Sequence, residues 1–490
     1  MRYNDFDEKN KTERSTNTHG YYSINRGLCQ RVITRRGDAF SDFEEAVSDL
    51  SNRMAADFIG LSLTNADRLI RESGSRKKEY TVQRCRQRTL ISTVGDITFS
   101  HTLYKGRDGK THCLLDEMIR LPDRERFTAR AEAKVLNEAE AYSYQHAADS
   151  IRTNGQAITK TAVMNKVHAI EEDIPEMEET PEEKKCCEFL YIEADEDHIH
   201  RQTEGKEQGC FTGKLVYLFE GKEEICKGRR RLAAPFYFGG LYAGSDQNAA
   251  LWESVDRYIK NHYDQDELKC VYISSDGGGW IRAAVSHVDK SRLVADRFHL
   301  MRYINRMARY TGEEETAVKG EFYRNIYRKD LEEVKRLLER IGKYEGSGRA
   351  VEEGRRYFTT NWEAIQRAFH DKHVPGCSAE GHVSAVYSER MSSRPMGWSE
   401  TGCDRMCRLR CYIRNYGREK VIDLVNYRRE RKLEQCLETG TEAVIEVPLR
   451  KKYTAGQKEA LRAAERLHAT LAENSTVRKI LAIREQIGSI

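Results

Sequence analysis

The spacing of apolar residues predicts a long amphipathic helix near the start of the chain. From Asp38 onward, apolar residues recur three or four positions apart, which places them on one face of a helix. The pattern continues to about Glu72, where Ser73-Gly74-Ser75 interrupts it. Residues 1–37 are polar without a clear period and are predicted to be a flexible arm. The apolar face consists of Phe43, Val47, Leu50, Met54, Phe58 and Leu61.

After this helix the pattern favours a small antiparallel sheet. Thr89–Val94 and Ile97–Tyr104 are rich in β-branched and aromatic residues. They are separated by Gly95-Asp96, which is typical of a two-residue hairpin turn. Another strand is predicted over His112–Asp116. Together with the first helix, these elements open a predicted N-terminal region that extends over residues 38–170.

The end of this region resembles a helix-turn-helix. Residues 124–170 are predicted to be helical, and Ser143–Ile151 and Thr159–His168 form two short helices around Asn154-Gly155. In a helix-turn-helix the second helix lies in the major groove of DNA. An ordinary helical hairpin is the alternative. The residues that we expect to face DNA are Thr159, Lys160, Thr161, Asn165 and Lys166.

Beyond an acidic linker, assigned to residues 171–188, strands alternate with helices. Three strands followed by helix, strand, helix and strand is the order of a ribonuclease H-like core, an α/β fold with a mixed sheet flanked by helices. The predicted elements are Phe189–Ala194, Leu215–Phe219, Phe236–Tyr242, Asn248–Tyr263, Cys270–Ser274, Trp280–His287 and Arg292–Ala295.

The remaining sequence is helical in pattern and divides the predicted core into two parts. Residues 301–370 are charged and carry no strand pattern, which predicts an all-α insertion. The core therefore comprises residues 189–300 and residues 371–435. Residues 436–490 are predicted to form a helical C-terminal extension.

Composition indicates the cellular compartment in which we expect the protein. The chain is 39% hydrophobic and 33% charged with 7 prolines, which favours a folded, largely helical protein. It has no run of 18 apolar residues, and its first residues lack the apolar segment of a signal peptide. We therefore expect a cytoplasmic protein, associated with the nucleoid if it binds DNA, and no membrane partner.

Charge and cysteine content add little by themselves. The net charge is +4, but residues 405–432 hold ten Lys/Arg against three acids, which suits phosphate contacts or a solvated helix face. The 13 cysteines are expected to be reduced thiols. Cys403, Cys407 and Cys411 lie on one helical stripe and lack paired zinc-ligand spacings, which predicts burial rather than a metal site.

Two aspartates stand at strand ends, where carboxylates can converge. Asp195 follows the apolar run Phe189–Ala194, and Asp276 follows Cys270–Ser274 with three glycines after it. Hard divalent ions such as Mg²⁺ take oxygen ligands, and two such ions can promote phosphoryl transfer. Acids also end strands and turns for purely structural reasons. Two of them in this topological order predict a metal site.

A third acid is expected on a helix after the second of these strands. Glu380 fits this place, and Glu389 is the alternative, disfavoured because the adjacent Arg390 suggests an ion pair. The polar string after Glu380 contains Arg390 and Arg394, which we expect to contact phosphates near the metals.

Four strings make a family resemblance explicit. They are YIEADEDHIH at 191–200, SSDGGGWI at 274–281, ADRFHL at 295–300 and EGHVSAVYSERMSSRPMGW at 380–398. The chain resembles the ISLre-type insertion-sequence transposases from about residue 40 to residue 430. That family was formerly catalogued as an uncharacterised protein family and is similar to the Mutator-like DDE transposases.

The resemblance implies a DDE catalytic triad in a ribonuclease H-like domain with an α-helical insertion. The triad would fall on Asp195, Asp276 and Glu380, which would hold two Mg²⁺ ions, with Mn²⁺ as a substitute. Asp197 stays open as an alternative first acid because it follows Asp195 on the same strand face. Ser275 and Ala385 depart from the family pattern, where Gly and His are expected, but neither is a proposed ligand.

Other residues are assigned supporting roles. Asp296 and His299 follow the last predicted strand and either orient substrate or water, or anchor the sheet edge. Arg229 and Arg230 belong to a basic run on a predicted hairpin, available to the DNA backbone or simply solvated.

The sequence therefore predicts a metal-dependent DNA transposase. We expect it to bind the terminal inverted repeats of its own element and target DNA, to cut and join strands, and to act as a homo-oligomer on DNA. Two alternatives remain open at this point. One is a ribonuclease H-like nuclease or resolvase without strand transfer, and the other is a non-catalytic helix-turn-helix DNA-binding protein.

Overall fold

The chain folds into two compact units. The computed structural model describes residues 39–151, 158–170, 181, 183–202, 209–226, 229–394 and 396–438. Among the described residues, the first unit comprises the chain up to Thr128 together with residues 429–438, and the second comprises the residues between Ala129 and Arg428. The predicted arm, the turn with Asn154-Gly155, most of the predicted linker and the extension beyond 438 lie outside the described residues.

The first unit pairs a long helix with a small antiparallel sheet. The predicted helix is confirmed, but the face predicted to be buried is wrong, because Val47, Met54, Phe58 and Leu61 are exposed. The helix instead buries Ala56 and Ile70, which share a core with Phe99 and Tyr104 of the sheet. The strand order is β1-β2-β3. The elements are α1 (Ala39–Glu72), α2 (Gly74–Glu79), β1 (Tyr80–Ser92), β2 (Gly95–Gly106), β3 (Thr111–His112) and α3 (Leu114–Met118).

Two details of this sheet differ from the prediction. Ser92 pairs with Gly95, so the turn is Thr93-Val94 and not Gly95-Asp96. The Ser92 hydroxyl donates to the Gly95 carbonyl at 2.6 Å, which closes the turn two residues before the predicted position.

The strand predicted over His112–Asp116 is wrong beyond His112. Leu114 and Leu115 are both buried, at 1% and 2% exposed. A strand would turn two consecutive side chains to opposite faces, whereas the helical turn α3 buries both on one side. Burial of this leucine pair therefore overrides the strand pattern.

The second unit contains a five-stranded mixed sheet with helices on both faces. Its strand order is β10-β9-β4-β5-β8. The pairs β4–β5 and β5–β8 are antiparallel, and the pairs β4–β9 and β9–β10 are parallel. The strands are β4 (Phe189–His200), β5 (Cys210–Phe219), β6 (Gly221–Cys226), β7 (Arg229–Ala233), β8 (Phe236–Leu241), β9 (Cys270–Ser275) and β10 (Ser291–Ala295).

Strand β4 extends further than predicted. It continues from Phe189 to His200 and does not end before Asp195. The reason is its two neighbours: parallel pairing with β9 stops at Glu193 opposite Ser274, whereas antiparallel pairing with β5 continues to His200 opposite Cys210. Asp195 therefore lies inside a strand, just beyond the point where one neighbour leaves it.

The helices of the second unit cover the two faces of the sheet. Trp252 and Val255 of α7 pack on one face with Leu190 and Ile192. The elements are α4 (Ala129–Ala141), α5 (Tyr144–Asp149), α6 (Lys160–His168), α7 (Gly244–His262), α8 (Gly279–Arg282), α9 (Arg297–Ala308), α10 (Glu315–Tyr327), α11 (Leu331–Ile341), α12 (Gly348–His370), α13 (Ala379–Val383), α14 (Glu389–Met391), α15 (Glu400–Tyr416) and α16 (Val421–Glu438).

The opposite face is covered by α9 to α12. Residues 301–370 form helices and short 3₁₀ turns without a strand, in agreement with the predicted helical pattern. Leu300, Phe322 and Phe358 form a core that continues onto Tyr272 of β9. In the described part of the chain, no helix combines the length and apolar character needed to cross a lipid bilayer.

Candidate active site

Asp195 and Asp276 lie just beyond the point where the parallel pairing of β4 and β9 ends, Asp195 still within β4 and Asp276 directly after β9. Glu193 of β4 pairs with Ser274 of β9, and each aspartate lies two residues further along its own strand direction. Neighbouring strands are about 4.8 Å apart, so two residues at the same level can share a ligand. The sheet itself therefore brings these two carboxylates together, although 81 residues separate them in sequence.

Both aspartates project from the face that α12 covers. Side chains alternate along a strand, so Asp195 shares the face of Tyr191, and Asp276 shares the face of Tyr272. The rings of Tyr191 and Tyr272 stack at 5.8 Å on that face. The Glu196 amide donates to Asp195 Oδ1 at 2.8 Å, and the Gly278 amide donates to Asp276 Oδ1 at 2.7 Å.

A third aspartate joins this level from β10. Ala295 pairs with Ser275, and the amide of Asp296 donates to the Ser275 carbonyl at 2.9 Å. The Asp296 carboxylate accepts a hydrogen bond from the Phe298 amide at 2.9 Å, which caps α9. Its second oxygen lies 2.8 Å from Nδ1 of His299. The predicted supporting pair Asp296 and His299 therefore lies beside the two aspartates.

The electrostatics of these groups reflect their proximity. Burial raises the pKa of Asp195, and the negative charge of Asp276 raises it further. The hydrogen bond with Asp296 raises the pKa of His299, and the charges of Asp276 and Asp195 act in the same direction. The direction of both shifts reflects the negative charge that the three carboxylates bring together, which favours a cation among them.

A glycine and a tyrosine shape the wall of the site. Gly277 has φ +100°, a region that disfavours L side chains, and a Cβ there would come within 3.0 Å of the Tyr357 ring. The Tyr357 hydroxyl is buried and has no hydrogen-bond partner among the residues that the structure describes. Its pKa is raised by burial and then by the charges of Asp296 and, more weakly, Asp276. Helix α12 of the insertion thus contributes a polar atom next to the aspartates.

Glu193 connects this part of the sheet to the segment that carries the third predicted acid. Its carboxylate is buried and accepts hydrogen bonds from the Ser378 amide at 2.8 Å and the Ser378 hydroxyl at 3.0 Å. Lys222 forms an ion pair with it at 3.1 Å, and the Tyr217 hydroxyl also donates to it. This network holds Ser378 against Glu193. Glu193 lies two positions before Asp195 and on the same face of β4.

Sequence reasoning missed the role of Glu193. The signal was present, because a charged residue in the apolar run Phe189–Ala194 must find partners if it is buried. Its partners Lys222 and Ser378 lie 29 and 185 residues away, so the sequence could not name them.

Glu380 lies in the first turn of α13, two residues after Ser378. The structure describes its backbone and not its side chain. His382 of the same helix stacks on Tyr217 at 4.6 Å, and its Nδ1 lies 3.0 Å from the Tyr237 hydroxyl. Helix α13 therefore packs on the face of the sheet from which Asp195 projects.

The alternative acids are placed differently. Both carboxylate oxygens of Asp197 accept hydrogen bonds from the Ser392 hydroxyl, at 3.1 and 2.9 Å. Glu389 is exposed at the start of α14, after a π-helical turn over Ser384–Ser388. Asp197 is thus engaged by Ser392, whereas the choice between Glu380 and Glu389 stays a prediction.

The predicted second helix of the helix-turn-helix is observed as α6. Its predicted DNA-facing residues Thr159, Lys160, Thr161 and Asn165 are exposed. Lys166 instead forms an ion pair at 3.4 Å with Glu132, whose side chain is fully buried. Lys166 is therefore committed to the packing of α6 against α4.

The predicted phosphate-binding arginines fall into two groups. Arg230 is exposed on β7, Arg394 is exposed after α14, and the side chain of Arg229 lies outside the described part of the structure. Arg390 is 3% exposed, donates to the Ala139 carbonyl at 3.3 Å, and lies 5.0 Å from the ring of Trp398. Burial lowers the pKa of Arg390 to about 10. This placement favours a structural role for Arg390 over a phosphate contact.

The comparisons with known proteins identify the family. Residues 33–427 match the family described as "Uncharacterised protein family (UPF0236)". The chain belongs to this family. A UPF0236 protein of Caldanaerobacter subterraneus subsp. tengcongensis, whose name joins eleven locus designations, is 31% identical over 408 residues, covering 81% of this chain and 84% of that protein.

Other relatives of this UPF0236 chain carry the same family name. A second protein of that organism is 30% identical over 412 residues, covering 82% and 86% of the two chains. A UPF0236 protein in the vanSb 3′ region of Streptococcus gallolyticus is 22% identical over 394 residues, covering 78% and 85%.

Among solved structures, the Drosophila P element transposase strand transfer complex matches 65% of this chain and 87% of that chain. The match has 7% identity and a TM-score of 0.19. A score this low carries no argument about the fold or the function of the UPF0236 chain.

Two features that the sequence left open have structural explanations. Most basic side chains between 405 and 432 form ion pairs within the protein, including Arg408–Asp404, Arg410–Glu140 and Arg428–Glu132. The prediction for the cysteine stripe is confirmed, because Cys403, Cys407 and Cys411 are buried free thiols. Neither feature forms part of the candidate active site.

A second polar cluster of this UPF0236 chain lies in the first unit. His101 Nδ1 lies 3.0 Å from Cys113 Sγ and 3.1 Å from Asp116 Oδ2. Metal binding would require the Cys113 thiolate, but burial and the charge of Asp116 raise the pKa of this thiol. Arg88 already forms an ion pair with Asp116 at 2.5 Å. We therefore interpret this cluster as a structural network that joins β1, β2 and α3.

Proposed function

We propose that this protein is a DDE-type transposase that cuts DNA at the ends of an insertion sequence and joins them to target DNA. The observation that carries the proposal is that Asp195 and Asp276 each lie two residues beyond the last parallel pair of β4 and β9. Phosphoryl transfer on DNA depends mainly on positioning and on neutralising charge, and two facing carboxylates provide the ligands for the ions that do both.

The residues of the site fit divalent cations with oxygen ligands. Asp195 and Asp276 each use one carboxylate oxygen for a backbone amide, which leaves the other for a metal. Burial raises the pKa of Asp195, whereas the charge of His299 lowers it, which supports a site that accommodates a nearby cation. We propose that Asp195, Asp276 and Glu380 hold two Mg²⁺ ions, which Mn²⁺ could replace. When bound, such ions neutralise phosphate charge and activate the attacking oxygen.

The fold supports the same proposal. In chain order, the five strands of the sheet lie in the order third, second, first, fourth, fifth, with the first three antiparallel and the last two parallel to the first. This arrangement is expected of a ribonuclease H-like core, in which the catalytic acids follow the first and fourth strands. Asp195 lies on β4, the first strand, and Asp276 directly follows β9, the fourth.

The residues of the chain have distinct proposed roles. Glu193 is a positioning residue, because it holds Ser378 and thereby the start of α13, where Glu380 lies. His299 and Asp296 sit beside the aspartates and orient the phosphate or water. The exposed residues Thr159, Lys160, Thr161 and Asn165 of α6 are proposed to contact the terminal repeats, and the protein to act as a homo-oligomer that holds two ends.

The relatives add one consideration. A protein whose name joins eleven loci in one organism has the gene multiplicity that a transposing element produces. Proposed membership of the ISLre-type insertion-sequence transposases agrees with this multiplicity.

A strand-transfer assay tests the proposal. Duplexes that span the junction between element and flanking DNA, labelled at the 5′ end of the strand that is cut at the element's 3′ end, are incubated with the full chain and Mg²⁺. We expect cleavage at the element end and transfer of the label into a supercoiled target. Cleavage without transfer would indicate the nuclease or resolvase alternative, and binding with neither step, unchanged by Asp276→Asn, would indicate a non-catalytic DNA-binding protein.

A further inference from the structure

Helix α9 carries a row of arginines that begins at the candidate active site. Its N-cap is Asp296, and His299 in its first turn contacts that carboxylate at 2.8 Å. Arg302, Arg306 and Arg309 follow at helical spacings of four and three residues, which places them on the same side as His299. From His299 to Arg309 the row is about 15 Å long at 1.5 Å per residue.

The orientation of this row is fixed by the packing of the helix. Leu300, Ile304 and Met307 are fully buried in the core of the insertion. The opposite side is therefore held toward solvent, where Arg302, Arg306 and Arg309 are exposed. The row also lines one concavity of the protein surface, formed by His299, Arg302, Tyr303, Asn305, Arg306 and Arg309.

The charge of the row is not compensated locally. No acidic residue occurs between Asp296 and Glu313. Among the described residues, Arg302 and Arg309 form no ion pair. Arg306 pairs with Glu353, which Arg349 also contacts, so two arginines share one carboxylate.

Other helices of the insertion treat their basic residues differently. Several of their arginines are matched with acids on the same or a neighbouring helix. The pairs include Arg336–Glu333, Arg340–Glu321 and Arg367–Glu363. Helix α9 differs from these helices because no acidic residue follows Asp296 on it.

An exposed aromatic residue lies between the arginines and the aspartates. Phe298 is 41% exposed, next to His299, and the Arg302 guanidinium lies 6.0 Å from its ring centroid. Met301 beside it is 38% exposed. Basic side chains with an accessible aromatic ring form a surface that suits a nucleic-acid strand, since phosphates bind the arginines and a base or sugar packs on the ring.

We propose that Arg302, Arg306 and Arg309 bind the phosphate backbone of the DNA whose reacting phosphodiester lies at Asp195 and Asp276, with Phe298 packing against the nucleotide nearest those acids. This inference deepens the proposed function and rests on it. It assigns the DNA contact of the catalytic unit to α9, on which the sequence predicted no residue in contact with the DNA backbone.

The test compares two double variants of the full chain. Arg302→Ala/Arg309→Ala removes two arginines of the row. Arg328→Ala/Lys372→Ala removes the same charge from two exposed positions, one in the insertion and one just after it. The control positions lie away from the acids, because His373, next to Lys372, stacks on Phe189 at the other end of β4, about 20 Å along the strand from Asp195.

DNA binding is measured by fluorescence anisotropy in EDTA, so that cleavage does not contribute. The probe is a duplex from the DNA flanking the reading frame, titrated over a range of salt concentrations. We expect the Arg302→Ala/Arg309→Ala variant to bind on the order of tenfold more weakly, with a salt slope reduced by about 1.8, the value for two lost phosphate contacts. The control variant should keep the affinity and slope of the wild type.

Binding by the Arg302→Ala/Arg309→Ala variant with the affinity and slope of the wild type would overturn the inference. Equal thermal melting of all three proteins shows that folding is not responsible. The two proposals fail separately. A wild-type chain that binds DNA through this row but never cuts it would contradict the proposed function alone. An enzyme that cuts DNA but whose binding does not depend on Arg302 and Arg309 would contradict this inference alone.

Discussion

The carboxylate of Glu193 accepts two hydrogen bonds from Ser378, one from the backbone amide at 2.8 Å and one from the hydroxyl at 3.0 Å. This contact joins β4 to a segment 185 residues later in the chain. It fixes the start of α13 relative to Asp195. The proposed geometry of the acids therefore depends on a residue that need not contact metal or DNA.

The first prediction concerns Glu193→Gln. The substitution leaves the Lys222 ammonium, only 11% exposed, without its carboxylate. Breaking a buried pair in this way costs about 3 kcal/mol, so the free energy of unfolding should fall by that amount. DNA cleavage should also decrease. Denaturant unfolding and single-turnover cleavage measure the two effects.

A control and a rescue separate positioning from simple stability. Glu223→Gln changes an exposed glutamate that pairs with Arg231, and stability should change by less than about 0.5 kcal/mol. Glu193→Gln/Lys222→Met removes both charges and should recover stability but not cleavage. Full recovery of cleavage by the double variant would contradict the positioning role.

The second prediction concerns the turn after β9. Gly277→Ala places a Cβ at φ +100° and within 3.0 Å of the Tyr357 ring. We expect a loss of about 2 kcal/mol in the free energy of unfolding, together with reduced cleavage because Asp276 is displaced. Gly279→Ala is the matched control, since a Cβ there meets no atom within 4 Å. Equal stability of the two variants would show that the turn tolerates side chains.

These elements show how far the sequence alone could lead. The apolar runs before Asp195 and Asp276 predicted two strands, because a short apolar run is a local property of the sequence. That these two strands pair with each other is seen only in the structure. The continuation of β4 to His200 was not predicted, because it depends on which neighbour continues beside it. The helix over Leu114–Met118 was missed for a similar reason, since burial of a leucine pair is decided by the tertiary core.

The partners of individual charges were the least predictable part. Arg390 lies in a polar string of the sequence. Its burial against Ala139 and Trp398 depends on the tertiary fold, which the sequence does not show. The arginines of α9 offered a visible signal, an acid-free run from 297 to 312, but their exposure depends on the insertion core.

The third prediction separates Arg390 from Arg394. Arg390→Ala removes a buried guanidinium that donates to the Ala139 carbonyl and packs over Trp398, so it should lower the free energy of unfolding by about 3 kcal/mol. Arg394→Ala alters an exposed side chain and should leave stability unchanged while weakening DNA binding. Thermal melting and DNA-binding titrations measure both. A stable Arg390→Ala variant with weakened DNA binding would restore the phosphate role predicted from the sequence.

The fourth prediction tests the cluster of His101, Cys113 and Asp116. Asp116→Asn leaves Arg88, 11% exposed, without its carboxylate, which should cost about 3 kcal/mol. EDTA should leave the melting temperature of the wild-type chain unchanged, because the cluster is interpreted as a network without metal. A melting temperature that falls with EDTA and recovers with Zn²⁺ would contradict this interpretation.

The most direct test of the central claim uses Fe²⁺ in place of Mg²⁺, with ascorbate and peroxide, to cut the polypeptide next to bound metal. If Asp195, Asp276 and the start of α13 surround the same ions, the full chain should be cut near 195, 276 and 380. Excess Mg²⁺ should suppress all three cuts, and Asp276→Asn should abolish them, whereas Asp289→Asn at an exposed site should not. Cuts that persist in Asp276→Asn, or that occur at only one of the three segments, would contradict a shared metal site.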